Sequence, residues 1–361
     1  MMSTAPEKTV SLGRRILDAT LSDVEAIRLL LEGSSVIDWH QLALFTDEEV
    51  ARFLRLNEFD PDKREDIERL EELRVDAVEY LMRNFGYNIP ADVAHNLSVR
   101  ELLLLASSKG VTQKYACIIL KAMHVMHHLA GRELLFKLPV SDDELFGFVE
   151  SKVVRVVDEM RAAGCPIVEF AWSRKERDSV VTKLLAKKAS IAAHVYDKLR
   201  FRLITRTVGD LALVLQELLH RLIPFNYIIP GESVNGILPF ATLVDQISAF
   251  ARHAGELQHG LGSELPAIGG NEFSGPGYRI INFVADLPIR IDQYLCRIPD
   301  PRFQSLGATV FVLTEFQVMD EETAQQNEAG ENSHTAYKER QHERVKARLA
   351  GDLDLEGDEE E

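Results

Sequence analysis

Residues 172–205 read WSRKERDSVVTKLLAKKASIAAHVYDKLRFRLIT. They set a basic, helix-forming segment directly before an apolar, β-like run that carries one acid, Asp197. Lys183 and Lys187 are four apart and project from one helix face, with Arg174 and Lys175 just upstream. An acid inside an apolar strand is costly to bury unless it is paired or holds a cation. The stretch therefore predicts a phosphate-handling unit built from a cationic helix face and a strand carboxylate. A solvated basic face is the plainer account of the lysines.

Working outward, the chain changes rhythm near residues 138–143. From Ile16 to about Phe136 apolar residues recur at three- and four-residue spacing, as in Val24-Ile27-Leu30-Leu31 and Ile67-Leu70-Leu73. Ser22-x-x-Glu25 and Ser98-x-x-Glu101 read as capping boxes. Five or six helices are expected there. His124, His127 and His128 fall within a buried helix expected over 112–129 and are read as packing residues, with no acid or cysteine at ligand spacing nearby. Leu138-Pro139-Val140-Ser141 marks the boundary to a second part.

In that second part strands are expected at 166–172, 195–205, 225–229, 278–286 and 309–318. Helices are expected at 144–163, 178–188, 209–221, 238–257 and 324–349, with a long Gly/Ser-rich loop over 259–277. The reading is an α+β domain, a mixed sheet flanked by helices and preceded by an all-helical N-terminal domain. Its divisions are a leader over 1–13, the helical domain over 14–138, the mixed-sheet domain over 143–349 and an acidic tail over 350–361.

The chain has 361 residues, with 41 basic against 57 acidic and a net charge of −16. That balance argues against a protein coating nucleic acid or anionic membrane over its whole surface. Three scattered cysteines provide neither a disulfide framework nor a metal-ligand spacing. With no signal-like or membrane-spanning run, a soluble protein in the cytoplasm is expected.

A second strand carboxylate, Glu315, sits in Val310-Phe-Val-Leu-Thr-Glu-Phe-Gln-Val318. One reading pairs each acid with Arg200, Arg202 or Arg279; the other lets the two acids share magnesium.

Ordered pieces over residues 145–345 resemble the RelA/SpoT-type nucleotide synthetase family. Lys175-x3-Ser179-x3-Lys183 looks like its basic opening, and Tyr196-Asp197-x4-Arg202 like its metal-binding strand. Gly277-Tyr278-Arg279 resembles its base-stacking turn. Glu315-Phe316-Gln317-Val318 is similar to its Glu-x-Gln-Ile strand, and His334-x2-Tyr337-Lys338 to its closing helix.

The resemblance implies a nucleotidyltransferase-like fold and a stringent-response type of chemistry, pyrophosphate transfer from ATP to the hydroxyl of a guanine nucleotide, GTP or GDP. It implies Asp197 and Glu315 as catalytic magnesium ligands and Tyr278 stacking on the acceptor base. Nucleotide contacts would come from Arg174, Lys175, Ser179, Lys183, Lys187, Arg202, Arg279, Gln317, His334, Tyr337 and Lys338. Departures from the pattern are Ser173 for an arginine, Asn282 for a histidine and Met319-Asp320 for Arg-Thr. Two other functions follow from them: a silent nucleotide sensor that binds a protein partner through its helical part, or transfer to RNA such as tRNA.

Overall fold

The computed structural model describes residues 19–33, 42–186, 199–256, 275, 277–296 and 301–350. The chain is an α+β protein with a mixed five-stranded sheet flanked by helices. The helical part contains α1 (Leu21–Glu32), α2 (Asp47–Leu56), α3 (Arg64–Phe85), α4 (Val99–Ala106) and α5 (Val111–Lys137). After α6 (Asp142–Ala162) come β1 (Ile167–Arg174), α7 (Arg177–Ala186), β2 (Leu199–Thr205) and α8 (Leu211–Arg221). Then follow β3 (Val234–Asn235), α9 (Phe240–Gln246), α10 (Ser248–His253), β4 (Ile281–Arg290) and α11 (Asp292–Leu295). The described residues close with β5 (Thr309–Asp320), α12 (Glu321–Asn327) and α13 (His334–Ala350).

Strand order is β1-β2-β5-β4-β3, with β2 and β5 parallel and the other neighbours antiparallel. Alternation along each strand separates two faces. One carries Phe201, Phe283 and Phe316 in a stacked row, with ring centroids 5.7 and 5.4 Å apart. This face shares a core with Val149, Val153 and Met160 of α6 and Leu215 and Leu218 of α8. Helix α1 joins the same core through Val24, Ile27, Leu30 and Leu31. A separate apolar cluster holds α2 to α5 together.

Helix α5 lies on the opposite face. Gly131 makes this approach possible, since a Cβ there would sit 2.4 Å from the Phe311 ring and 2.7 Å from the Thr309 carbonyl. His127 is buried between Phe59 and Phe311, and His128 bonds Asp286 at 2.7 Å. That acid on β4, 158 residues away in sequence, is a partner for the histidine helix that local spacing does not reveal.

Several boundaries differ from the sequence expectation. Helix α1 is capped by Thr20 with Asp23, not by Ser22 with Glu25. Residues 225–227 form a 3-10 turn, and only Ile228 bridges to the sheet, at Ala285. The helix expected over 238–257 breaks at Ile247, whose backbone is extended (φ −112°, ψ 112°). Strand β4 starts after Tyr278 and runs through Pro288, because β3 pairs only with its first two residues and the outer edge at Pro288 needs no donor. The helix expected over 324–349 starts earlier, where Asp320 caps α12, and divides at a turn with Gly330 at φ +56°. Of the loop expected over 259–277, only 275 and 277 lie within the described residues. No helix among the described residues is long and apolar enough to cross a membrane.

Candidate functional site

The face opposite the phenylalanine row is polar at the β2–β5–β4 junction. Register places Arg200 beside Glu315 and Arg202 beside Gln317 across the parallel pair, and Asn282 beside Gln317 across the antiparallel one. Residues opposite each other in a ladder share a face, so all five converge. Glu315 is buried; Arg200 Nε donates to its Oε2 at 2.8 Å and Gln317 Nε2 to its Oε1 at 3.1 Å. Of the three arginines weighed as partners for Glu315, Arg200 is bonded to it.

Arg202 donates from Nη1 to Glu328 Oε1 at 3.3 Å, and its Nη2 approaches Met319 Sδ at 4.0 Å. Met319 is fully buried with Ile204, Ile280 and Ala324, and Tyr278 packs against this small cluster. Burial pushes the Tyr278 hydroxyl above the usual tyrosine range, while the Arg202 and Arg200 guanidinia pull it the other way. The Tyr278 turn is held from α12: Asn327 Nδ2 donates to the Arg279 carbonyl at 2.7 Å and Asn327 Oδ1 accepts from the Arg279 amide at 3.1 Å. Arg279 itself points to Gln326, 3.1 Å from Nη2 to Oε1. Gly277 leaves room for Asn332, whose Nδ2 would be 2.9 Å from an added Cβ.

The remaining expected residues lie away from this cluster, Arg174 on the other face of the sheet, or outside the described residues. Arg174, at the end of the edge strand β1, makes two 2.7 Å bonds to Glu150 and one of 3.0 Å to Asp143, over the Phe146 ring. Lys175 directly follows β1, and Ser179 and Lys183 stand on α7. Helix α13, which packs on α7, carries Tyr337, half-buried, and Lys338, exposed. His334 opens α13. Asp197 and Lys187 lie outside the described residues.

The magnesium expectation meets a chemical obstacle. Both Glu315 oxygens already accept hydrogen bonds from the protein, one from a guanidinium. The described residues contain no group of three or more His, Cys, Asp or Glu placed to hold a metal. This part of the site does not fit a divalent cation by itself; a paired carboxylate fits an organiser of arginine. Two contributors, Asn327 and Glu328, escaped the sequence reading of the site, and Arg200 entered it only as an ion-pair partner. Arg200 is signalled by the Arg-x-Arg alternation in an apolar strand, which puts both cations on one face. Asn327 and Glu328 carry no local signal, since only the fold of α12 over β2 brings them in.

Chemically, two guanidinia, an amide and a phenol around one open sheet face suit an oxyanion with a planar group attached. No family model matches the chain, and no curated protein matches it in sequence. Among solved structures it is similar to the small alarmone synthetase 1 from Bacillus subtilis, at 14% identity and a TM-score of 0.30, over 63% of this chain and 89% of that one. It is also similar to the small alarmone synthetase 2 from Bacillus subtilis, at 13% and 0.32, over 59% and 92% of the two chains. A GTP pyrophosphokinase family protein from Streptococcus pneumoniae is similar at 12% and 0.29, over 58% and 84%. At those scores the likeness carries no argument, and the α+β architecture stands on this chain's own strand order and register.

Proposed function

We propose that the polar sheet face binds the phosphate chain of a purine nucleotide and that the protein transfers pyrophosphate from ATP to a nucleotide hydroxyl, with GTP or GDP as acceptor. The observation that carries this reading is the convergence of Arg200, Arg202 and Gln317 with Glu315 on one face, with Tyr278 packed against the neighbouring Met319 cluster. Arginine forks hold phosphate oxygens bidentately, and Tyr278 supplies a ring on which a base can stack. In the transfer, the acceptor oxygen attacks the β-phosphorus, the bond from that phosphorus to the α–β bridging oxygen breaks, and AMP leaves. Glu315 takes the hydroxyl proton. ATP enters as its magnesium complex, and Lys175 and Lys183 bring further positive charge from the α7 side.

A specific observation supports a second reading, binding without transfer. Glu315 is engaged by both Arg200 and Gln317, which lowers its availability as a base. Titration calorimetry with ATP, GTP and GDP, with and without magnesium, followed by nucleotide chromatography separates the two. Transfer predicts AMP and a pyrophosphorylated product that disappear in Asp197→Asn and Glu315→Gln proteins. Binding with no new product leaves the sensor, and product formation unchanged in both variants removes the assigned roles.

A further inference from the structure

We propose that Glu328 is an internal competitor for the phosphate site, a carboxylate that occupies the Arg202 guanidinium and is displaced when a nucleotide polyphosphate binds. The inference rests on the reading of the polar sheet face as a phosphate site. The two carboxylates at this face differ in kind. Glu315 lies in the middle of β5 with 9% of its side chain exposed and is bonded across the sheet. The Glu328 side chain is 70% exposed and follows the last residue of α12, in the turn leading to Gly330 at φ +56°. It can swing away without disturbing a strand.

Arg202 is the better-placed cation for a ligand. Among the described residues its Nε is buried with no hydrogen-bond partner, and Nη2 has only the Met319 sulfur at 4.0 Å, a weak acceptor. A carboxylate oxygen and a phosphate oxygen are interchangeable acceptors for a guanidinium N–H, and Glu328 takes one arm of the fork, Nη1, with a single oxygen at 3.3 Å. On the other face of the sheet, at its β1 edge, Arg174 is likewise held by the carboxylates Glu150 and Asp143. In a chain of net charge −16, such counter-ions keep the site's cations from attracting any passing anion. An exposed pair is weak, so a multiply charged phosphate chain displaces it while a single carboxylate or chloride does not.

Calorimetry with GTP and with inorganic pyrophosphate tests this. Glu328→Gln is expected to tighten both about threefold, the scale of one exposed ion pair. Glu322→Gln, an equal charge change on an exposed α12 residue bonded to Gln326, is expected to leave both unchanged. In an Arg202→Gln background the gain from Glu328→Gln is expected to vanish; if that protein melts early, Arg202→Lys takes its place and the gain is expected to persist. Equal effects of Glu328→Gln and Glu322→Gln overturn the competitor role, as does a gain that survives in folded Arg202→Gln or one that is lost in Arg202→Lys, which keeps the charge. Failure of the unaltered protein and Glu328→Gln alike to bind either ligand overturns the phosphate-site reading itself.

Discussion

His127 shows how one residue responds to the environment the fold imposes. Its two ring nitrogens are buried without hydrogen-bond partners, and burial, with Arg69, His124 and His128 adding repulsion, pushes its pKa down to about 3. His124 follows in the same direction, to about 4, through burial and His128. The folded chain therefore keeps His127 neutral where the unfolded chain takes up a proton below about pH 6.5. Stability contributed by the neutral ring is present above that value and is lost as pH falls toward 3. Between pH 7 and 5 the loss from this one group is at most about 2 kcal/mol. In a His127→Phe protein, whose ring fits between Phe59 and Phe311, the urea midpoint is expected to fall less over that interval. Identical pH slopes for the two proteins would contradict the assignment. Asp286, whose Oδ2 bonds His128, keeps its other oxygen buried and unpartnered.

At the scale of elements, the contact between α5 and β5 ties the helical part to the sheet face that bears the site. Phe311 meets α5 while Glu315 stands four residues further along the same strand, about 13 Å away at ordinary strand rise. Gly131→Ala would force its Cβ into the Phe311 ring and the Thr309 carbonyl, one of which is backbone. The expected cost is about 1–3 kcal/mol, read as a lower denaturation midpoint with an unchanged slope. Wild-type stability in Gly131→Ala would mean that α5 sits farther from β5 than described. On the other flank, Asn327 fastens the Tyr278 turn from α12 through two hydrogen bonds to Arg279 backbone atoms. Asn327→Ala is expected to weaken nucleotide binding severalfold with little change in the protein's melting temperature, since the turn is part-exposed. Equal binding by the two proteins would detach that turn from the site.

Across the whole molecule, α1 crosses from the helical part into the core beneath the sheet. Val24, Ile27, Leu30 and Leu31 are each exposed by 1% or less. Burying side chains of this size contributes about 1.5–3 kcal/mol apiece, so their sum rivals the roughly 5–15 kcal/mol by which a domain is stable. Removing residues 1–41 is therefore expected to abolish cooperative thermal unfolding, followed by circular dichroism and calorimetry. A sharp transition within a few degrees of the full chain would show that α1 is dispensable. Ion pairs reinforce the same union of parts, Arg290 with Asp66 at 2.6 Å and Lys152 with Glu58.

Periodicity by itself determined the helical first part, the α+β character of the second, and most of the positions of β1, β2 and β5, because alternation and three-to-four spacing are local properties of the chain. It also singled out Asp197 and Glu315, since acids inside apolar strands stand out against their neighbours, while Arg202 was drawn into the site by the family resemblance. The tertiary structure alone decided what those charges do. Strand order put Arg200 against Glu315, 115 residues apart, the arginine among the three that spacing left open. It likewise brought Glu328 to Arg202, 126 residues away, and Asp286 to His128. Such partners cannot be read from spacing, because a hydrogen bond depends on distance in space, and only the sheet's register and the packing of α5 and α12 set that distance. Within the stretch at 172–205, Arg174, Arg200 and Arg202 all find their carboxylate partners elsewhere in the fold.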